Sequence, residues 1–376
     1  MEYVELGNVA TYINGYAFKP EQRGKIGLPI IRIQDLNDNS YDLGFFDGSY
    51  PEQIEINTGD ILISWSGSLG VYKWSKGKAL LNQHIFKVVF NKINIDKEFF
   101  CYAVKNSLSV MSQQTHGATM KHITKKDFDK VLIPYPSLNT PRKIAQKLNI
   151  VTELIVFYET ELSLMEQLIK ARFIEMFGDP QINEKGFTKA PMGEYLSLLT
   201  DFSSNGSYKA LDSGVVMYDE PNYAWMVRTT DLESGDKSSI KYIDEKAYEL
   251  LSKSKIFGGE IIMNKIGSAG KIYIIPKLTM PASLGRNAFM FRYDERINNI
   301  FIYYLLTSDY GQREIQQYVR GAVTKTITKD DARAVLIIVP PLELQQQFAD
   351  FVHQVDKSRL DIKKSIIELE REVVYD

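Results

Sequence analysis

Cationic side chains gather on one short stretch of this chain. His116, Lys121, His122, Lys125 and Lys126 stand close together, and Arg320, Lys325 and Lys329 stand in a matching arrangement further on. Lys and Arg on loop tips suit phosphate oxygens, whereas Asn, Gln, His and Arg carry the donors and acceptors that pair with base edges in the major groove. The competing reading is a solvated surface with no ligand. Recurrence of the pattern in two segments brings the nucleic-acid reading level with it.

Other chemistry finds little support. No Asn-Pro-Pro-Tyr or Asp-Pro-Pro-Tyr of an amino-methyltransferase is present. Gly-Ser-Ala-Gly-Lys at 267–271 lacks the glycine spacing of a phosphate loop, and Ile272 stands where Ser or Thr is needed. His84, His116, His122 and His353 have no ligand spacing, and the single Cys101 excludes a thiolate zinc site. No carboxylate pair suggests an acid–base couple. The expectation is no catalytic residue, no metal and no cofactor in this chain.

The cationic segments belong to a larger repeat. Gly117–Asp127 returns as Gly321–Asp331, with seven of eleven positions identical at an offset of 204. Ile31–Leu36 answers Val227–Leu232 at offset 196, and Gly59–Gly70 answers Gly259–Gly270 at offset 200. Blocks that keep their order at this period indicate two copies of a whole domain. The drift in offset predicts loop insertions in the second copy.

Each copy reads as mixed α and β structure. Ile61–Ser64 and Ile261–Asn264 predict strands that run into Gly-rich turns. Gln83–Phe90 and Ala288–Phe291 predict further strands, and Phe99–Lys105 and Phe301–Thr307 predict helices. Val131–Pro134 and Val335–Val339 close the copies as apolar strands.

After each copy the apolar period changes to that of a heptad. Ile144, Leu148, Val151, Ile155, Tyr158, Leu162 and Met165 form one seam; Phe348, Val352, Val355, Ile362, Ile366 and Leu369 form another, interrupted at Arg359. Gly178 with Pro180 supplies a stop for the first helix. A lone heptad helix is marginal in water, so the two are expected to pack on each other, antiparallel if the copies obey a pseudo-two-fold axis. A helix of about 36 residues spans roughly 54 Å, enough to act as a spacer.

Comparison of the copies divides the polar residues. Shared positions, Lys121 with Lys325 and Lys125 with Lys329, fit the frame or phosphate contacts. Arg32/Asp35 and Arg228/Asp231 fit internal ion pairs or turn locks. Differing positions fit distinct base preferences: Trp65 against Lys265, Gln83-His84 against Arg286-Asn287, His122 against Thr326. The loop Asn14–Lys19, with Tyr16 and Lys19, is set against Asn205–Lys209. Ser66, Ser268, His116, Lys209 and Arg320 complete the expected DNA-contacting set.

Bulk properties set outer bounds. The 376 residues suffice for two or three domains, and 44% hydrophobic with 24% charged residues is ordinary for a globular protein. One cysteine excludes an intramolecular disulfide. No signal peptide and no membrane span is evident, so a cytoplasmic location is expected. The net charge of −2 arises in the tail, where residues 343–376 hold 5 Lys/Arg against 8 Asp/Glu. Affinity for DNA follows local phosphate contacts rather than global charge.

The ensemble resembles the specificity subunits of Type I restriction–modification systems. Ile30–Leu36, Gly59–Leu62, the Gly-Ala-x-x-Lys-x-Ile-Thr-Lys blocks, Pro340-Pro341-Leu342-Glu343-x-Gln345 and Arg172–Pro180 carry the resemblance, over nearly the whole length. Pro134–Thr140 departs from the usual Pro-Pro-Leu-x-x-Gln helix entry. The resemblance implies an α/β (α+β) fold with two target recognition domains, 1–138 and 179–342, and two spacer helices, 139–178 and 343–376, forming an antiparallel coiled coil. It implies that each domain reads one half of a bipartite double-stranded DNA site. It further implies that the helices dock two methyltransferase subunits, which use S-adenosylmethionine to methylate adenine, and that restriction motor subunits join the assembly. Two rival readings are a coiled-coil scaffold with two protein-binding heads and a DNA-modifying enzyme with concealed catalytic groups.

Overall fold

A computed structural model describes residues 2–36, 43–67, 69–113, 124–135 and 140–375. The chain divides into two compact units, 1–158 with 365–376, and 159–364. The divisions fall inside the two long helices, Thr140–Phe177 and Leu342–Tyr375, rather than at their ends. The first helix thus contributes half its length to each unit, whereas the second gives about two thirds to the second unit and one third to the first.

The first unit contains strands β1 (Tyr3–Glu5), β2 (Thr11–Asn14), β3 (Leu28–Ile31), β4 (Phe45–Phe46), β5 (Glu55–Ile56), β6 (Ile61–Ser64), β7 (Gly70–Lys73), β8 (Ala79–Leu81), β9 (Ile85–Val89) and β10 (Leu132–Pro134). They form an antiparallel pair β1-β10 and two four-stranded sheets, β2-β9-β6-β7 and β4-β3-β8-β5. Only β3 and β8 pair in parallel among these strands.

The second unit repeats this order. Its strands are β11 (Thr188–Pro191), β12 (Leu196–Asp201), β13 (Ala224–Val227), β14 (Lys241–Ile243), β15 (Lys255–Ile256), β16 (Ile261–Asn264), β17 (Ile272–Ile274), β18 (Ala282–Leu284), β19 (Ala288–Tyr293) and β20 (Leu336–Val339). The sheets are β11-β20, β12-β19-β16-β17 and β14-β13-β18-β15, with β13 and β18 parallel. Strand for strand, the topology is a duplication.

The central strands of each unit are buried on both faces because alternate residues enter different cores. Ile61, Ile63, Phe86 and Val88 join Tyr12, Phe100 and Phe128 in one core, while Leu62 and Ile85 join Ile31, Trp74 and Leu80 in the other. The second unit does the same: Ile261, Met263, Phe289 and Phe291 pack with Phe301 and Ile337, whereas Ile262, Ala288 and Met290 pack with Val227 and Leu284. Fully burying a side chain such as Phe100 or Phe301 stabilises by about 1.5–3 kcal/mol. Helices Lys97–Gln113 and Asn299–Thr307 cover equivalent places, their first turns capped by Asp96 (Oδ1 accepts from Phe99 N, 3.0 Å) and Asn298 (Oδ1 accepts from Ile300 N, 2.8 Å).

Within the second unit the two long helices run antiparallel. Phe173 and Phe177 meet Phe348 with ring centroids 5.3 and 5.6 Å apart, and the Arg172 guanidinium lies over the Phe351 ring. Ile169 and Met165, one and two turns back, share that core with Val352 and Val355, one and two turns forward. Val151, Ile155, Tyr158 and Leu162 are half-buried, as are Ile366 and Leu369, while Leu148 and Ile362 are buried. Ile144 packs partly buried on the first unit's core. Gly178 stops the first helix at φ +72°, its N–H bonded to Ile174 O at 2.7 Å.

One sequence alignment needs correction. Asn14 pairs with Phe86 and Asp201 with Phe289, and these two phenylalanines both face the equivalent residues Ile63 and Met263. Asn14 therefore corresponds to Asp201, not to Asn205. The shift arises because the second unit inserts a helix, Tyr208–Gly214, into the connection that follows. Leu211 from that insertion helps fill an additional small core with Phe202, Met226 and Tyr248.

Candidate nucleic-acid interface

At one end of each double-cored sheet, three connections converge. In the second unit they are the turn after β12, the turn after β16 and the bend between β18 and β19. Lys265 N donates to Asn287 O at 2.9 Å, and Gly285 N to Val227 O at 2.7 Å. The first unit makes the same bonds with its own residues: Trp65 N to His84 O at 3.1 Å, and Asn82 N to Ile31 O at 3.0 Å. His84 and Asn287 both adopt the left-handed region, at φ +72° and +68°. A non-glycine residue there is uncommon, and its repetition marks one bend built twice.

Asp201 is the hub of the second unit's cluster. It is buried, and its carboxylate accepts from Lys265 Nζ at 2.8 Å, Lys329 Nζ at 2.9 Å and Ser204 Oγ at 2.6 Å. Burial by itself pushes this carboxyl up, but the Lys265 and Lys329 ammoniums and the Ser204 hydroxyl outweigh it and hold the group well below the usual carboxylate range. Lys265 was expected to face bases, and Lys329 to serve the frame or a phosphate contact. Both close an internal ion-pair network, because a buried carboxylate at the strand end draws both ammoniums inward.

The first unit places a neutral pair at this site. Trp65 Nε1 donates to Asn14 Oδ1 at 3.2 Å, and the indole stacks on Phe86 at 5.6 Å and meets His84 edge-on at 4.9 Å. Trp65 is thus a half-buried rim aromatic. Ser66 is buried rather than at a loop tip. Lys125, the counterpart of Lys329, is exposed and has no carboxylate partner among the described residues.

The threonine of the repeated Ile-Thr-Lys block is an N-cap. Thr124 Oγ1 accepts from Asp127 N at 3.2 Å, and Thr328 Oγ1 accepts from Asp331 N at 3.1 Å, opening helices Lys125–Asp129 and Lys329–Ala334. Part of the repeat's identity therefore serves the frame. In the second unit, residues 320–327 form a hairpin that docks on the turn after β16: Gly267 N donates to Lys325 O at 2.9 Å and Ile327 N to Lys265 O at 3.1 Å. Arg320 pairs with Asp331 at 3.0 Å while remaining largely exposed. His116, Lys121 and His122 lie outside the described residues.

Of the expected contact residues, Tyr16, Lys19, Gln83 and Lys125 in the first unit and Lys209, Ser268, Arg286, Asn287, Arg320 and Lys325 in the second face solvent, beside the exposed apolar Ile266 and Val323. Tyr16 is tied to the bend, its carbonyl accepting from Gln83 N at 3.0 Å. Arg286 is held by Asp212 (2.9 Å) with its Cζ 5.1 Å from the Phe202 ring and 5.5 Å from Tyr208. It borders an apolar cavity of about 210 Å³ walled by Val215, Met217 and Met226.

Two turn locks support the clusters. The buried Asp35 carboxylate accepts from Arg32 N at 2.7 Å and Arg32 Nε at 3.2 Å, and Asp231 accepts from Arg228 N and Nε at 3.2 and 3.1 Å. The sequence assigned these pairs to the frame, and they stand there. Asp201, Asp212 and Asn14 are the residues the sequence reading missed. The only signal available was the match of Tyr12-Ile13-Asn14 to Leu199-Thr200-Asp201, which the inserted helix concealed.

Among the described residues no group of three or more His, Cys, Asp or Glu could hold a metal ion. Burial, with Glu98 nearby, pushes the Cys101 thiol up to about 12, leaving it protonated at neutral pH. No helix among the described residues is long and apolar enough to cross a membrane.

The model of the Type I restriction modification DNA specificity domain matches residues 1–167 and 197–371, one match per repeat. The chain belongs to that family. The two matched segments are its DNA specificity domains. The chain is 24% identical to the Type I restriction enzyme EcoBI specificity subunit of Escherichia coli, over 96% of this chain and 81% of that one. It is likewise 24% identical to the MjaVIII specificity subunit of Methanocaldococcus jannaschii, over 96% and 87%. The fold of this DNA specificity protein matches the S subunit of a Type I restriction-modification system from M. genitalium with TM-score 0.56 and 15% identity, over 99% and 93% of the two chains. A chain solved in work on complex assembly and conformational transition of the type I R-M system matches with TM-score 0.60 and 16% identity, over 99% and 95%.

Proposed function

We propose that this chain is the non-catalytic reader of a Type I restriction–modification complex, each unit recognising one half of a split, asymmetric double-stranded DNA site. One observation carries the reading. The same sheet end occurs twice with its backbone bonds retained, while the side chains presented there differ, Gln83-His84 against Arg286-Asn287. A shared frame with divergent tips is the arrangement two different half-sites require. Lys19, Lys125, Lys209 and Lys325 are the cations free to meet phosphates.

The long helices fix the half-site spacing and dock two methyltransferase subunits. Beyond its core seam, the first helix carries a second apolar line with the same spacing: Ile150, Leu154 and Phe157, then Leu164 and Leu168, all exposed. Lines of this kind fit a protein partner, and the methyltransferase is the partner the family implies. S-adenosylmethionine belongs to that subunit, and restriction motor subunits complete the assembly in the cytoplasm.

The test is co-expression with the partner methyltransferase in a host free of adenine methylation, followed by methylome sequencing. One bipartite adenine-methylation motif is expected, and exchange of residues 1–138 for those of another family member should alter one half only. A motif changed in both halves, or no motif, would overturn the reading.

A further inference from the structure

The bend between β18 and β19 presents one side chain that its surroundings have oriented in advance. We infer that Arg286 reads a guanine in the half-site of the second unit, and that Gln83 occupies the same reading position in the first. The inference rests on the DNA-recognition role proposed above and names which residue discriminates and which base it selects.

Gly285 and Asn82 anchor one side of the bend through Val227 O and Ile31 O, and Asn287 and His84 anchor the other through the N–H groups of Lys265 and Trp65. Leu284 and Leu81, just before, are fully buried. Between these fixed points only residues 286 and 83 are exposed in both units. A side chain projecting from a doubly anchored bend has a defined origin, as base-edge recognition requires.

The Arg286 side chain is further held by its neighbours. Asp212 takes one edge of the guanidinium through Nη2, while Phe202 and Tyr208 stand 5.1 and 5.5 Å from its Cζ. Arginine has five N–H donors in a planar fork; Asp212 and the Tyr208 side chain engage part of it, and the remaining donors are left for a base edge. Guanine O6 and N7 are the base-edge acceptors that such a fork matches. Preorganisation by Asp212 lowers the entropy lost on binding. Gln83 is exposed and carries an amide, whose donor and acceptor match adenine N6 and N7 instead.

The full chain is co-expressed with its methyltransferase, and the methylation motif is determined for wild type, Arg286→Gln, Arg286→Lys and Gln83→Arg. The half that persists when residues 1–138 are exchanged should contain a G·C pair. Arg286→Gln should lower discrimination at that pair roughly tenfold or more, leaving the other half unchanged. Should that variant lose all methylation, Arg286→Lys keeps the charge without the fork and should methylate with relaxed choice at the same pair. Gln83→Arg should introduce a guanine preference at one position of the first half. A second half-site specified by A·T pairs alone overturns the inference, as does undiminished guanine discrimination in both Arg286 variants. In those cases the bipartite motif itself stands. A wild type that yields no bipartite motif overturns the DNA-recognition role and this assignment together.

Discussion

Lys265 donates to Asp201 at 2.8 Å in the place where, in the first unit, Trp65 donates to Asn14 at 3.2 Å. Both residues of the pair have changed between the copies, and the contact has been kept. An ammonium on a buried carboxylate and an indole on an amide are different solutions to the same requirement: the turn after the central strand must be tied to the end of its sheet. The charged version recruits Lys329 as a second cation, and the neutral version leaves Lys125 free. One consequence is that at matching places Lys125 is left without a carboxylate partner among the described residues while Lys329 is paired.

Removal of the hub should be felt in one unit. Asp201→Ala leaves two ammoniums facing each other without their carboxylate and should cost about 1–3 kcal/mol of stability. Asp201→Ala with Lys265→Met should be non-additive, since both act on one network. Denaturant unfolding of the four-member cycle checks this, and additive effects would contradict the geometry.

The same carboxylate predicts a pH dependence. A folded-state value held below the ordinary 3.8 means the unfolded chain binds the proton more readily. Its stabilising contribution is therefore complete above pH 3.8 and is lost as pH falls from there toward the folded value. Asp201→Asn should flatten this part of the acid limb in unfolding curves, whereas Asn14, uncharged, gives the first unit no equivalent.

Buried turn locks should be costly to break. Asp231→Ala removes acceptors for Arg228 N and its guanidinium and should destabilise by about 1–3 kcal/mol. Asp35→Ala should act alike in the first unit. Thermal unfolding of each variant provides the comparison, with an exposed control such as Lys209→Ala staying within about 0.5 kcal/mol.

Phosphate-facing cations should show themselves in salt dependence rather than in sequence preference. Lys325→Ala, in the assembled complex, should reduce the slope of log affinity against log salt by about one and weaken all sequences equally. Lys329→Ala should leave the slope near its original value, because that ammonium is engaged with Asp201 and Ser204. DNA-binding titrations at several salt concentrations separate the two.

The antiparallel contact between the long helices rests on few large side chains. Phe348 is fully buried against Phe173, Phe177 and Tyr304. Phe348→Ala should cost about 3–5 kcal/mol through the cavity it leaves. Chemical denaturation measures the loss directly.

By itself the sequence determined the duplication, the mixed α and β character of each copy, and the two heptad helices. These are regularities of the linear chain: identity at a fixed offset, apolar spacing and a glycine stop are all read without any tertiary contact. Strands Ile61–Ser64 and Ile261–Asn264 fall where their composition placed them, and the Arg-x-x-Asp locks span only three residues. The tertiary structure alone decided which polar side chains remain available. Lys265 and Lys329 read as surface cations until strand pairing brings Asp201 to them across 64 and 128 residues. Arg286 gains its orientation from Asp212, which lies 74 residues away on a helix the other copy lacks. Contacts of that separation are set by sheet register and burial, and spacing along the chain carries no record of them.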